Sequence, residues 1–96
     1  MEYELSCRYD TRQSFYGKAK VEETKTSYGK FLELYSYGTL VATIDIDTIN
    51  NKKLFAYYGK YSQTTTRHQK EFFKQNGLSD KEIKELFKNG VLEKEV

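Results

Sequence analysis

The sequence predicts an α+β domain, an antiparallel sheet of four to five strands followed by two short C-terminal helices. Three observations carry that prediction. Apolar residues recur with period two as far as Ser62, the period lengthens beyond it, and turn or cap residues punctuate both halves. No repeat, linker or low-complexity stretch interrupts residues 1–96, so the elements belong to a single small domain.

Each element has its own signature. In SFYGKAKVE, Phe15, Gly17, Ala19 and Val21 alternate with Tyr16, Lys18 and Lys20, the pattern of a half-buried strand. KFLELYSY sets Leu32 and Leu34 against Phe31, Glu33, Tyr35 and Tyr37. After a turn at Gly38, TLVATIDID sets Leu40, Ala42, Ile44 and Ile46 against Val41, Thr43, Asp45 and Asp47. Asn50-Asn51 marks the next turn, KLFAYYGKY is a further strand, and YELSCRY at the start offers one more. Beyond Ser62, His68, Phe72 and Phe73 form a narrow apolar stripe, and Asn76-Gly77 closes the helix. The second helix opens with Ser79 and Glu82 at capping-box spacing and closes with Asn89-Gly90. Ile83, Leu86 and Phe87 form its buried face, and Val91 and Leu92 are expected to pack back on the core.

Composition bounds the function. Hydrophobic residues are 38%, charged residues 31%, and mean hydropathy is -0.81, the balance of a high-surface chain with a modest core. Sixteen basic and fourteen acidic residues leave +2, which argues against a histone-like polycation and against an acidic nucleic-acid mimic. The lone cysteine, Cys7, forms no internal disulfide, and with one histidine, His68, it builds no structural zinc site. No metal or other cofactor is expected. No apolar run approaches the ~20 residues of a membrane span, and MEYELSCRYD does not read as a secretory signal, so the expected compartment is the cytoplasm, without a membrane partner. Neither G-x-G-x-x-G nor a Walker-type loop is present, which argues against a nucleotide-driven enzyme. Nine tyrosines and six phenylalanines are too many for so small a core, so some tyrosines face solvent or a partner.

The segment YYGKYSQTTTRHQKEFFKQNG concentrates the chemistry. Thr64, Thr65 and Thr66 precede Arg67, His68 and Lys70 where strand gives way to helix. Unpaired helix N-terminal amides, threonine hydroxyls and cations together suit a phosphate or carboxylate. Between Lys60 and Lys74 four bases (Lys60, Arg67, Lys70, Lys74) face one acid, Glu71. The alternative is plain capping, with Thr66 and Gln69 at capping-box spacing; it accounts for one threonine of the three. Lys18 and Lys20, alternating with Tyr16, give the sheet a surface that can track phosphates and stack on bases, although the same pattern is also that of an ordinary soluble strand. The residues expected to bind an anion, nucleic acid or partner are therefore Tyr61, Thr64, Thr65, Thr66, Arg67, His68, Lys70, Lys74, Lys18 and Lys20. The second helix is charge-balanced and reads as scaffold. No catalytic residue is assigned: His68 lacks a recognisable orienting partner and nucleophile, and Asp45 with Asp47 lack a third ligand.

LYSYGTLVATI, followed after a short gap by YSQTTTRHQKEFFKQNG, resembles a small uncharacterised domain of phages, prophages and plasmids of low-GC Gram-positive bacteria. The resemblance rests on Ser36, Tyr37, Thr39, Val41 and Ala42 and on Ser62, Thr64, Thr65, Arg67 and His68, and covers roughly the middle half of the chain. It implies a bacterial host cell and a role of the kind such elements encode, stoichiometric inhibition of a host defence nuclease, as anti-CRISPR proteins perform, or DNA handling. The leading expectation is a non-enzymatic binding protein that engages nucleic acid or a nucleoprotein complex. A protein-interaction module or homodimer, using Phe31, Tyr35 and Tyr37 or its edge strands, is the alternative, and a small nuclease using Arg67, His68, Asp45 and Asp47 comes third.

Overall fold

Leu32 and Leu34, then Ala42, Ile44 and Ile46, alternate with polar neighbours, and antiparallel pairing puts all five on one buried face. The computed structural model describes residues 1–95. Its strands are β1 (Glu2–Glu4), β2 (Ala19–Lys25), β3 (Gly29–Ser36), β4 (Thr39–Asp47), β5 (Lys52–Tyr57) and β6 (Val91–Glu95). The helices α1 (Gln63–Gln75) and α2 (Asp80–Asn89) lie between β5 and β6. The sheet order is β1-β2-β3-β4-β5-β6, every neighbour antiparallel.

The α+β class with its antiparallel sheet is as the sequence predicts, but the sheet has six strands and the helices do not end the chain. Val91–Glu95 returns to the sheet beside β5, and Val91 is 56% exposed instead of packing inward; Leu92 is partly buried against the core. Five residues after a glycine stop are too few to show a period. β2 also starts later than expected. Tyr16 and Gly17 both take positive φ (53° and 74°), so Phe15 reaches the core from a loop rather than from the strand.

A β-bulge in β4 corrects the expected facing of its residues. Leu34 pairs with Ala42 but Tyr35 pairs with Leu40, which leaves Val41 as the extra residue. Val41 and Ala42 are therefore both buried, and Leu40 moves to the side of Tyr35.

Both helices sit on one face of the sheet. Phe72 and Phe73 of α1 and Ile83 and Leu86 of α2 close the core over Val21, Leu34, Ile44 and Phe55. α1 ends as Asn76-Gly77 predicts: the Gly77 amide donates to the Lys74 carbonyl (3.1 Å) and the buried Leu78 amide to Phe73 (3.1 Å), a Schellman arrangement. Lys53 Nζ and Lys94 Nζ donate to the carbonyls of Asn76 (3.1 Å) and Gly77 (3.0 Å), so β5 and β6 hold the helix terminus. The Ser79–Glu82 capping box of α2 is formed in both directions, and Gly90 closes the helix at φ 82°.

Two glycines carry different constraints. Gly38 follows Tyr37 in a tight hairpin in which both have positive φ, and the space around it is open. Gly29 is held by close approach, since a Cβ there would collide with the Ile46 carbonyl. Gly29→Ala is therefore expected to cost about 1–3 kcal/mol, whereas Gly38→Asn leaves the melting temperature nearly unchanged because asparagine tolerates that conformation. Thermal unfolding of the two variants beside the parent checks the contrast.

Candidate functional site

The start of α1 lies one residue before Gln63, at Ser62, and not at the threonines. Ser62 Oγ accepts from the Thr65 amide (3.1 Å), and Thr66 Oγ1 donates to the Ser62 carbonyl (2.9 Å). Ser62, not Thr66, is thus the cap. Thr65 is buried, its hydroxyl 2.9 Å from Ser36 Oγ on β3, and the same Ser36 oxygen lies 2.7 Å from His68 Nδ1. His68 is 1% exposed and meets Phe15 edge-on, with ring centroids 4.5 Å apart. Burial pushes its pKa below the ordinary value, helped by Arg12 and opposed by Asp10.

These contacts overturn part of the expected site. Thr65 and His68 fasten α1 to the sheet and present nothing to a ligand. Thr64 is half-buried, and Tyr61 is exposed but lines no cleft with the cations. Gln69 and Glu71 are spent in the same way. Gln69 Nε2 donates to the carbonyls of Val41 (3.0 Å) and Gly59 (3.2 Å). The Glu71 carboxylate accepts from the amides of Tyr9 (2.8 Å) and Asp10 (2.9 Å) and from Gln75 Nε2 (2.7 Å). Glu71 is therefore not the solvated acid that the charge count assumed.

Thr66, Arg67, Lys70 and Lys74 share the outward stripe of α1. Arg67 reaches Asp10 (3.4 Å), and Lys74 contacts Asp80 (2.9 Å), a hydrogen bond that holds the Asp80 carboxyl below its usual range. Lys70 has no ion-pair partner among the described residues, and it faces a cleft of about 430 Å³ between α1 and α2. Tyr57 and Phe87 stack there with centroids 4.2 Å apart and planes 18° off parallel, and with Ile83 they form an apolar floor. Lys60, Lys70 and Lys84 rim the floor, and Thr66 and the carboxylate of Asp80 complete the wall. Lys60 and Lys84 likewise lack an ion-pair partner among the described residues. Three cations over an aromatic floor suit a phosphate-bearing ligand with a flat ring.

This cleft draws on α2, which its balanced charge had marked as scaffold. Lys84 and Phe87 stand three residues apart, one helical neighbour from each other, and that spacing was the available signal.

Lys18 and Lys20 are elsewhere. They alternate with the buried Ala19 and Val21, so they project from the face opposite the helices, where with Tyr35, Tyr37 and Glu2 they line a second cleft of about 520 Å³. Lys20 stands 4.0 Å from Glu2. The register places eight carboxylates (Glu2, Glu4, Glu22, Glu33, Asp45, Asp47, Glu93, Glu95) on that open face, against three bases, Lys18, Lys20 and Lys52. A basic sheet surface is thus not present. Asp45 and Asp47 are separated by the sheet from the buried His68, so the residues considered for a nuclease do not converge. Among the described residues no group of three or more His, Cys, Asp or Glu side chains is placed to hold a metal ion. No helix among them is long and apolar enough to cross a membrane.

A six-stranded antiparallel sheet covered on one side by two helices, with a lysine-rimmed aromatic cleft between them, defines a small α+β protein with a ligand-sized recess. The chain belongs to a family of unknown function, DUF8033, whose model matches residues 3–89. No curated protein and no solved structure matches it.

The His68 environment makes folding acid-sensitive. Its folded pKa lies below the unfolded value of 6.5, so the unfolded chain binds the extra proton first. The contribution is complete above pH 6.5 and is lost as the pH falls through the window down to the folded pKa, at up to about 1.4 kcal/mol per pH unit. Denaturant melts of the parent and of His68→Gln from about pH 7.5 down to about pH 5 should show that slope in the parent and a flatter one in the variant. Equal slopes would contradict the assignment.

Proposed function

We propose that this chain is a non-enzymatic binding protein of a phage or other mobile element. In the cytoplasm of a bacterial host it engages nucleic acid or a nucleoprotein complex, as a stoichiometric inhibitor of a defence nuclease does. The observation that carries the reading is the convergence of Lys60, Lys70 and Lys84 over the Tyr57–Phe87 stack, where they outnumber the one carboxylate of the cleft, Asp80, itself held by Lys74. Lysines supply the salt-sensitive attraction to phosphates, and the aromatic floor supplies a sequence-tolerant surface for a base. The polynucleotide contact is thereby assigned to the helix side, since the carboxylates of the open sheet face repel phosphate. The alternative, a protein-interaction module, is favoured by that open face.

Fluorescence anisotropy with labelled single- and double-stranded oligonucleotides tests the proposal. Three phosphate contacts predict a log–log salt slope near about −2 for a single strand. Lys70→Glu with Lys84→Glu should weaken binding by about tenfold or more and flatten the slope, while Lys18→Glu with Lys20→Glu leaves both in place. Absence of binding at low salt, or binding untouched by the Lys70 and Lys84 reversals, would overturn it.

A further inference from the structure

We infer that the open face of the sheet is a docking surface for a basic protein partner, one that brings arginine or lysine together with apolar side chains. The inference does not depend on the nucleic-acid reading. An antiparallel sheet commonly leaves one face in water, and such a face ordinarily reads as polar. This one does not. Tyr35 pairs directly with Leu40, and Phe31, Leu54 and Val91 lie on the same face in the neighbouring rows; Thr43, between Glu33 and Ala56, is only 6% exposed although no helix covers it. Leu54 is 43% exposed and Val91 56%.

The charge around that stripe specifies the occupant. Eight carboxylates against three lysines make the face strongly negative in a chain whose net charge is +2. Glu2, Glu22 and Glu33 lie directly opposite one another on adjacent strands, where the N-terminal ammonium (3.1 Å from Glu22) and Lys20 (4.0 Å from Glu2) offset part of their repulsion. At the other end of the face, Tyr28 Oη donates to Asp45 Oδ2 (3.3 Å), while Asp45 Oδ1 is buried with no hydrogen-bond partner. Asp45 lines a shallow pocket of about 240 Å³ with Tyr28, Asp47, Lys52, Leu54 and Glu93; Lys52 stands 3.7 Å from Glu93, which leaves the Asp45 carboxylate as the acceptor for a guanidinium or ammonium head beside Leu54. A second copy does not fit these terms. Two such faces repel each other, and neither helix carries a large exposed hydrophobic residue to meet the stripe.

The intact chain is titrated into a labelled short peptide of alternating arginine and leucine, with a glutamate–leucine peptide as control. The arginine–leucine peptide should bind, salt should weaken it, and backbone amide NMR shifts should concentrate on β3, β4 and β5. Glu33→Gln with Asp45→Asn and Glu93→Gln should reduce affinity by about tenfold; because these changes relieve repulsion, the variant stays folded, which its melting curve verifies. Leu54→Ser provides the second arm and should weaken binding without altering the charge. Equal binding of both peptides, shifts on the helix side, indifference to both variants, or concentration-dependent self-association through this face would each overturn the inference.

Discussion

The inner side of α1 is polar where a helix lying on a sheet is usually apolar, and the fold is arranged around partnering it, with Gln69 Oε1 alone left without a hydrogen bond among the buried polar atoms of α1. Thr65 and His68 share Ser36 of β3, Gln69 binds the carbonyls of Val41 and Gly59, and Glu71 binds the Tyr9 and Asp10 amides. Each such bond contributes about 1 kcal/mol net, but losing one partner leaves a desolvated group behind at a larger cost. The helix is therefore fixed in rotation and in position along the sheet more tightly than packing of Phe72 and Phe73 alone would fix it. That fixed rotation turns Thr66, Arg67, Lys70 and Lys74 outward and determines where the cleft against α2 opens.

The bulge at Val41 belongs to the same arrangement. Without the extra residue, Val41 would point away from α1. The bulge turns its side chain into the core, and the Val41 carbonyl also accepts the Tyr58 amide (3.2 Å), so one irregular residue joins β4, the strand exit and the helix.

Much of the architecture was legible because period, caps and turns are local. β3, β4 beyond the bulge, β5, the Ser79–Glu82 box and both glycine stops follow from neighbouring residues. What escaped depends on tertiary pairing. β6 is too short for a period to register, the strand expected in YELSCRY forms only over Glu2–Glu4, and the bulge is a property of two strands together. The site was legible in its charges and not in its geometry. Lys70 and Thr66 line the cleft as residue type suggested, but the adjacent Thr65 and His68 face inward, which only the position of Ser36 decides. The net charge of +2 concealed most of all, because summation erased a separation between an acidic sheet face and a basic α1.

Placing both helices between β5 and β6 has a consequence for how the chain emerges from the ribosome. Hairpins β2 to β5 can close in about 1–10 μs once exposed, yet the residues that roof them, 63 to 89, arrive over the next few seconds at about 5–20 residues per second. During that interval Val21, Leu34, Ile44 and Phe55 form a bare greasy plate on the nascent chain. Chaperone capture belongs to that interval and ends when Gln69 and Glu71 lock the roof in place.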